Sequence, residues 1–488
     1  MKEQGTEGQL NIRDKLLRDT FTTAETFLTC LLVISSVVVI YPGQPRSYWL
    51  LSFFLIIGAL TPILVKTHEA THPFFIHKLW PRFFLLCLPF WVLALQFFIG
   101  LFQNPVETLL VNDITFRQLI SSNPLLPTTT EPQSTWISLF AFGSIFIFCL
   151  TVFLIPKSLS YFDRVLPILC MIASLVGIFG YMQKIGGQSA PFFAKEHSSG
   201  DFFSIFAYDG HWAAYALLWM TACFCLAIRN IQIEKHLSIT KTMAPWYLSG
   251  AFLLGYSGLF IQSRIPSSVL LFYFGILTVL FSVYYLRRLP TNDQRISFIV
   301  VVSILITIAF GVAQQRLFHP QPLEQVTYSL RQSALDMFKE NPLFGWGMDS
   351  FSHIGGFYQD DLLLGDRHER AFSDMYQMLA EFGLIGIAPL TVFNIWLLIR
   401  YLSGSCKFLL PNLLLAACFG VCLLAFFDSP FMSPAVFLSF FVLFFSALRW
   451  SDLSQKSVDE VDAGTVVVTN STLRRIPVYK GKKKLSYK

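Results

Sequence analysis

The sequence predicts an all-α polytopic integral membrane protein of about twelve transmembrane helices, with a large extracytoplasmic loop that carries short helices. Two observations support this fold class. Only 14% of the 488 residues are charged, whereas about a quarter are charged in a typical soluble domain. The apolar residues, which include 51 Phe, also gather in long blocks, and a helix needs roughly 20 such residues to cross the hydrocarbon core. Little sequence is left for a large soluble domain.

Each apolar block is expected to be a helix, because backbone amides in lipid must be satisfied within their own segment. The expected spans are residues 24–42, 48–65, 83–102, 136–155, 164–182, 211–228, 246–262, 267–286, 296–313, 384–400, 410–427 and 434–449. The resulting organisation is a cytoplasmic N-terminus (1–23), nine spans (24–313), a large periplasmic loop (314–383), three spans (384–449) and a basic cytoplasmic tail (450–488). The first block follows a charged segment and is long enough to span, which predicts an uncleaved first helix.

Basic residues lie in alternate connections between these spans. With residue 1 inside, the cytoplasmic connections are 66–82, 156–163, 229–245, 287–295 and 401–409, and each carries Lys or Arg. The opposite loops 103–135 and 183–210 carry few. The positive-inside rule therefore predicts that both termini are cytoplasmic. The formal net charge of +6 then reflects basic cytoplasmic loops, and no nucleic-acid partner is expected.

The nine cysteines lie in or beside apolar blocks without the spacing of a zinc site. They are expected to be small core residues and not disulfides or metal ligands.

The large loop contains a predicted amphipathic helix at 327–340. Leu330, Ala334, Met337 and Phe338 recur at the spacing of one helix face. The following Asn341-Pro342 pair should end this helix. We expect it to lie against the membrane surface or to cover a cavity.

Four short motifs follow one another along the chain. Residues 210–215 read GHWAAY, Ser263-Arg264 follows an apolar span, residues 330–351 read LRQSALDMFKENPLFGWGMDSF, and residues 373–386 read SDMYQMLAEFGLIG. In this order they resemble the family of O-antigen ligases, related polysaccharide polymerases and protein O-oligosaccharyltransferases. The third resembles the family's Arg-bearing loop helix followed by N-P-L-x-G-x-G-x-x-x-F, and the fourth its L-x-E-x-G-L-I-G exit helix.

Three positions depart from the family pattern. Phe372 stands where the family often has a His, and the nearest histidine, His368, is one helical turn earlier. Gly210 stands where Asn is usual and Ile265 where Gly is usual. These departures leave the identity of the acid–base residue open.

The resemblance implies a membrane glycosyltransferase at the outer face of a bacterial inner membrane. It would transfer a glycan from a polyprenyl-diphosphate donor to a hydroxyl of lipid A core, of another glycan or of a protein. The departing diphosphate gains negative charge, which fixed cationic donors stabilise in a water-poor site. Arginine suits this role because its planar fork matches phosphate oxygens and stays charged. The chemistry requires no metal or organic cofactor, and no carboxylate cluster in the sequence demands one.

The arginines expected to hold the diphosphate are Arg264, Arg331 and Arg370. Arg264 is the first choice, since it lies at the outer end of apolar spans where the donor headgroup would be. The alternative for Arg264 is a purely structural role, in which its side chain extends from the helix end to the boundary between membrane and water. Arg331 could equally be part of a solvated helix face, and Arg370 part of a solvated charged run.

The expected base is a histidine. His368 is the first choice because it lies just before the exit helix, flanked by Arg367 and Arg370. His211, which opens a membrane helix on the outer side, is the second. His353 is less favoured.

Two other functions have sequence support. Residues 68–72 match the H-E-x-x-H zinc protease motif, but Pro73 would curtail the helix that this motif needs. A transporter or flippase of lipid-linked glycan fits the number of spans, although transporters usually carry repeat symmetry and charged residues in mid-span. The nearly uncharged spans and the long outer loop favour the glycosyltransferase.

Overall fold

The computed structural model describes residues 22–38, 45–69, 73–103, 105–111, 114–119, 123, 125–188, 202–234, 241–287, 289, 292–318, 323–359, 370–402 and 409–462. The helices, numbered along the chain, are α1 (Thr23–Val38), α2 (Pro45–Glu69), α3 (Pro73–Leu86), α4 (Leu88–Gly100), α5 (Pro132–Leu154), α6 (Leu159–Ile185), α7 (Asp209–Ile233), α8 (Ala244–Tyr256), α9 (Arg264–Leu286), α10 (Asn292–Phe318), α11 (Leu323–Glu340), α12 (Phe351–Ile354), α13 (Asp374–Leu402), α14 (Leu409–Leu424) and α15 (Pro434–Asp462). The strands are β1 (Val106–Val111) and β2 (Ile114–Leu119).

The fold class is that of a helical multi-pass membrane protein. Among the described residues, seven helices are long and apolar enough to cross a membrane, namely α5, α6, α7, α9, α10, α13 and α15. The bent pair α3–α4 raises this number to eight if it forms one span. The shorter apolar helices include α1, α14 and residues 54–66 of α2. The twelve predicted segments all fall on helices, and the total of twelve spans stays a prediction.

One predicted span, 83–102, is not a straight helix. The chain breaks at Cys87 between α3 and α4, whose axes differ by 54°. Pro89 lies in the first turn of α4. A proline ring removes a backbone N–H and clashes with the preceding turn, so a helix can begin there but cannot easily continue through it.

Helix α7 forms the centre of the bundle. All its residues from Asp209 to Ile228 are buried, and it packs against α6, α8, α9, α14 and α15. Trp212 is fully buried and donates its indole N–H to Ser257 Oγ at 2.8 Å. By contrast, α10 exposes apolar side chains such as Val301 along most of its length, as expected for a lipid-facing helix. The N-terminal end of α7 is therefore held by neighbours on all sides.

The large loop has a small core of its own. Leu330, Ala334 and Met337 are buried on one face of α11, as the helical spacing predicted. They pack with Trp346 and Phe351 from the following turn. Helix α11 lies against the first part of α13, so its apolar face covers protein.

A hairpin that the all-α prediction omitted completes this outer layer. Strands β1 and β2 pair antiparallel, with Val106 opposite Leu119. These two residues pack against the core of the large loop. Asn112 and Asp113, between the strands, are residue types that favour turns, but two short strands in a membrane protein give little periodic signal.

The last helix, α15, ends later than predicted. It continues past residue 449 to Asp462, into the segment expected to be a polar tail. Trp450 is buried there and lies with its ring 4.3 Å from the Arg229 guanidinium carbon. Arg400 Nη2 forms an ion pair with Asp452 Oδ2 at 2.9 Å. These tertiary contacts hold the helix beyond its apolar stretch.

Candidate functional site

The N-terminal ends of α7 and α9 are tied together by Asp209. This buried carboxylate accepts hydrogen bonds from the backbone N–H groups of Gln262, at 2.6 Å, and Ser263, at 3.1 Å. Ser263 Oγ also donates to it. An acidic group at a helix N-terminus satisfies otherwise unpaired amides. Asp209 thus fixes the start of α9, where Arg264 is the first residue.

Two arginines lie between α9 and α10 at this end. Arg264 Nη2 donates to the carbonyl oxygen of Leu317. Arg316, which the sequence analysis did not single out, donates to three carbonyls of the turn 258–261, two of them at 2.8 and 2.9 Å. Arg316 therefore stabilises the turn before α9, while Arg264 joins the two helix ends.

Arg331 joins the loop helix to two other segments. Its Nε donates to Phe372 O at 3.2 Å, and its Nη2 donates to Phe427 O at 2.7 Å. Phe372 has a φ of 48°, a left-handed conformation that is uncommon for a bulky residue. The residue at the family's usual histidine position is thus held in a strained backbone geometry, and the Arg331 bond to its carbonyl fixes it.

His211 and Arg370 meet at the start of α7, 159 positions apart in the chain. The Nε2 atom of His211 lies 3.0 Å from Ser429 O and 3.4 Å from Arg370 Nη1. A carbonyl and a guanidinium cannot both pair with one ring nitrogen, since the first needs a donor and the second an acceptor. The shorter contact makes Nε2–H the donor to Ser429. The Arg370 guanidinium then lies beside a neutral imidazole, without a hydrogen bond to a backbone carbonyl in the described part of the chain.

A buried acidic residue, Asp428, lies on the other side of this cluster. Tyr208 Oη donates to its two carboxylate oxygens at 3.0 Å, and Ser429 N donates at 2.7 Å. Gly210 leaves the room for this arrangement, because a Cβ there would lie 2.4 Å from both Asp428 Oδ2 and the Tyr208 ring. This close approach explains why glycine occupies the position where the family usually has Asn.

Burial raises the pKa of the Asp428 carboxyl from 3.8 to about 7. The negative charge of Asp209 adds to the increase, whereas the Ser429 N–H, the Tyr208 hydroxyl and the charge of Arg331 oppose it. Burial also raises the pKa of Tyr208, with the Asp428 charge as the next cause. Tyr208 therefore stays a donor, while Asp428 changes charge near neutral pH.

We expect the stability of the protein to depend on pH through Asp428. Its raised pKa means that the folded state holds a proton more tightly than the unfolded state, so this group's stabilising effect is present at low pH and is lost as pH rises towards its folded pKa. The melting temperature of the wild type in detergent should therefore fall, relative to Asp428→Asn, between about pH 4 and about pH 7. Asp293→Asn, at the exposed start of α10, is the control. A constant difference between wild type and Asp428→Asn across this range would contradict the assignment.

The remaining candidates have different positions. His368 and Arg367 lie outside the described residues, as does His72 of the H-E-x-x-H motif, so these hypotheses stay predictions. His353 lies on α12, where its side chain is partly buried. The structure thus brings Arg264, Arg331, Arg370 and His211 to one end of the bundle through the contacts above.

The glycines of the large-loop motif form a tight turn against α13. Gly345, Gly347 and Gly383 all have positive φ values, which glycine adopts without a steric penalty. Trp346 N and Gly347 N donate to Ala380 O and Glu381 O at 3.0 and 2.9 Å. The turn is therefore bonded directly to the exit helix, and the positive φ of Gly383 marks a kink within that helix.

Residues 249–391 match the O-antigen ligase family (Wzy_C). The match runs from α8 to the middle of α13, so it contains Arg264, Arg331, Arg370 and the glycine turn. It bears out the resemblance to O-antigen ligase-like proteins that the four motifs indicated. His211 and Asp428 lie outside the matched residues. A search of curated proteins found no match.

The O-antigen ligase match supports a glycosyl-transfer enzyme in a membrane. Reasoning from the sequence missed Tyr208, Asp209 and Asp428 in this region. One signal was available, because Asp428 is a single acidic residue between two apolar spans, and ionisable residues at membrane depth are candidates for function.

Proposed function

We propose that this protein transfers a glycan from a polyprenyl-diphosphate donor to an acceptor hydroxyl at the periplasmic face of a bacterial inner membrane, with both termini in the cytoplasm. The observation that carries the proposal is the gathering of Arg264, Arg331 and Arg370 with His211 at one end of the bundle, within or beside an O-antigen ligase match.

The arginines would act on the leaving group. As the bond between the sugar carbon and the diphosphate oxygen breaks, negative charge builds up on the diphosphate, and preorganised donors stabilise it. Arg370 is best suited to direct contact, because its guanidinium lies beside a neutral ring and, among the described residues, bonds no backbone carbonyl. Arg264, at the start of α9, and Arg331, on α11, would add positive charge from two further segments.

The acceptor hydroxyl would attack the sugar carbon while a base takes its proton. The products are the glycosylated acceptor and polyprenyl diphosphate. His368 is the first candidate for this base and His211 the second, and Asp428 joins them because a carboxyl with a pKa of about 7 is matched to proton transfer at neutral pH. Direct displacement would invert the configuration at the sugar carbon, and a product with retained configuration would exclude it.

Glycan transfer in reconstituted membranes tests the proposal. Labelled polyprenyl-diphosphate oligosaccharide is supplied with one acceptor at a time: lipid A core, free glycan or protein. Arg264→Ala is expected to reduce transfer by about 100-fold, since removing one preorganised donor from a transition state costs this much or more. Arg287→Ala, an exposed arginine at the other end of α9, is the matched control and should transfer like wild type.

The labelled acceptor would separate ligation to lipid A core from glycan polymerisation and protein glycosylation. Failure of the wild type to label any acceptor, together with movement of the labelled lipid between leaflets, would favour the flippase instead.

A further inference from the structure

A buried hydrogen-bond chain connects the turn of the large loop to Arg370. We infer that Glu381 and Gln377 are positioning residues that hold Arg370 in place for the donor diphosphate. This inference rests on the proposed function and extends it to two residues of α13 that do not themselves contact the donor.

Glu381 receives donors from two segments. Its Oε2 accepts from Asp349 N at 2.9 Å, and its Oε1 accepts from Phe351 N at 3.4 Å and from Gln377 Nε2 at 2.9 Å. The side chain is 3% exposed. All three neighbouring groups are donors, so both oxygens of the Glu381 carboxyl act as acceptors here, and an amide in its place would have to turn an NH₂ group towards one of them.

The orientation of Gln377 follows from its two neighbours. Its Nε2 faces the carboxylate of Glu381, and its Oε1 accepts from the backbone N–H of Ala371 at 3.2 Å. Glu381 can only accept and an N–H can only donate, so the amide can satisfy both in one orientation alone. Gln377 is buried, which leaves no water to replace either partner.

Ala371 is the residue next to Arg370. The Ala371 N–H is bonded to Gln377 Oε1. The carbonyl oxygen of the next residue, Phe372, is bonded to Arg331 Nε. The positive φ of Phe372 lies between them. The backbone from 370 to 372 is therefore fixed at two points, and this sets the direction from which the Arg370 guanidinium reaches His211.

The hydrogen-bond chain from Glu381 through Gln377 to Ala371 predicts which substitutions raise the donor KM. Glu381→Gln turns an NH₂ group towards either Gln377 or Asp349 N, and Gln377→Glu places two carboxylates face to face. Each single change should raise the donor KM about tenfold, which corresponds to about 1.4 kcal/mol, and leave the acceptor KM unchanged.

The double change Glu381→Gln/Gln377→Glu swaps the two groups and should restore the chain. The carboxylate introduced at position 377 accepts from Ala371 N and from the amide introduced at position 381, and the oxygen of that amide accepts from Asp349 N. Only the weak 3.4 Å bond from Phe351 N is lost, so the donor KM should return to within about threefold of wild type.

A matched control exists on the neighbouring helix. Gln332 and Asp336 of α11 form the same kind of pair four residues apart, with Gln332 Nε2 3.2 Å from Asp336 Oδ1, but on a partly exposed face. The swap Gln332→Glu/Asp336→Asn and its single changes should leave the donor KM unchanged. If Glu381→Gln does not fold, Gln377→Leu removes the bond to Ala371 while leaving the Glu381 bonds to the turn, and the same increase in donor KM is expected.

The experiment measures donor and acceptor KM for folded variants in the reconstituted transfer assay, alone and in an Arg370→Ala background. If Glu381 acts through Arg370, Glu381→Gln adds no further increase in donor KM in that background. A full additional increase there, or a wild-type donor KM for folded Glu381→Gln, would overturn the inference while the proposed function stands. Absence of transfer by the wild type to any acceptor would instead remove the proposed function, and the inference with it.

Discussion

Replacing Arg264 and Arg370 together with alanine is expected to lower glycan transfer by about 10⁴-fold or more. Loss of one preorganised donor to a developing charge typically costs about 10²- to 10³-fold. The two arginines approach the end of α7 from different segments, Arg264 at the start of α9 and Arg370 just before α13. Neither can move to take the other's place, so the two losses should nearly multiply.

The rate of product formation at saturating donor measures this effect. The control is Arg287→Ala/Arg295→Ala, which removes two exposed arginines at the predicted cytoplasmic side and leaves the net charge equal to that of the test variant. Retention of more than about a tenth of wild-type transfer by folded Arg264→Ala/Arg370→Ala would show that these arginines do not bind the leaving group.

Gly383→Ala should prevent the large loop from docking and strongly reduce the yield of folded protein. A Cβ at this position would lie 2.5 Å from Gly345 N and from Leu343 O, both of them backbone atoms that cannot move aside. The φ of 62° and ψ of −175° lie in a backbone region that is essentially restricted to glycine, which adds a conformational penalty of about 1–3 kcal/mol for a residue with a Cβ. The hydrogen bonds from Leu384 and Ile385 to Pro342 O and Leu343 O, at 2.9 Å, would be lost as well.

Two other glycines separate the steric and conformational parts of this effect. Gly187 has a φ of 68° but no atom within 4 Å of its Cβ position, so Gly187→Ala carries the conformational penalty alone. Gly356 has open space and no positive φ, so Gly356→Ala should be neutral. The monodisperse fraction in detergent and the rate of proteolysis within the large loop are the readouts. Equal behaviour of Gly383→Ala and Gly187→Ala would show that the turn does not pack on the exit helix as described.

Features that depend only on residues close together in the sequence could be predicted from it. The buried face of α11 followed from the spacing of Leu330, Ala334 and Met337, since a helix repeats every 3.6 residues whatever surrounds it. The turn at Gly345 and Gly347 has a local signal in the two glycines of the loop motif, because only glycine readily takes the positive φ values found there. The break at Cys87 had a local signal in Pro89, but the length of the apolar block outweighed it.

The sequence by itself determined that this protein is a helical membrane protein and that it resembles O-antigen ligases, because lipid requires long apolar helices and the loop motifs are local. Only the tertiary structure decided which polar residues meet. Arg370 lies beside His211, and Tyr208 lies beside Asp428, through contacts between separate segments. Hydrophobic periodicity predicts which face of a helix is buried, but it does not predict which other helix packs against that face. The partners of the few buried charges are set by how the helix ends pack, and this packing places the candidate site at the N-terminal end of α7.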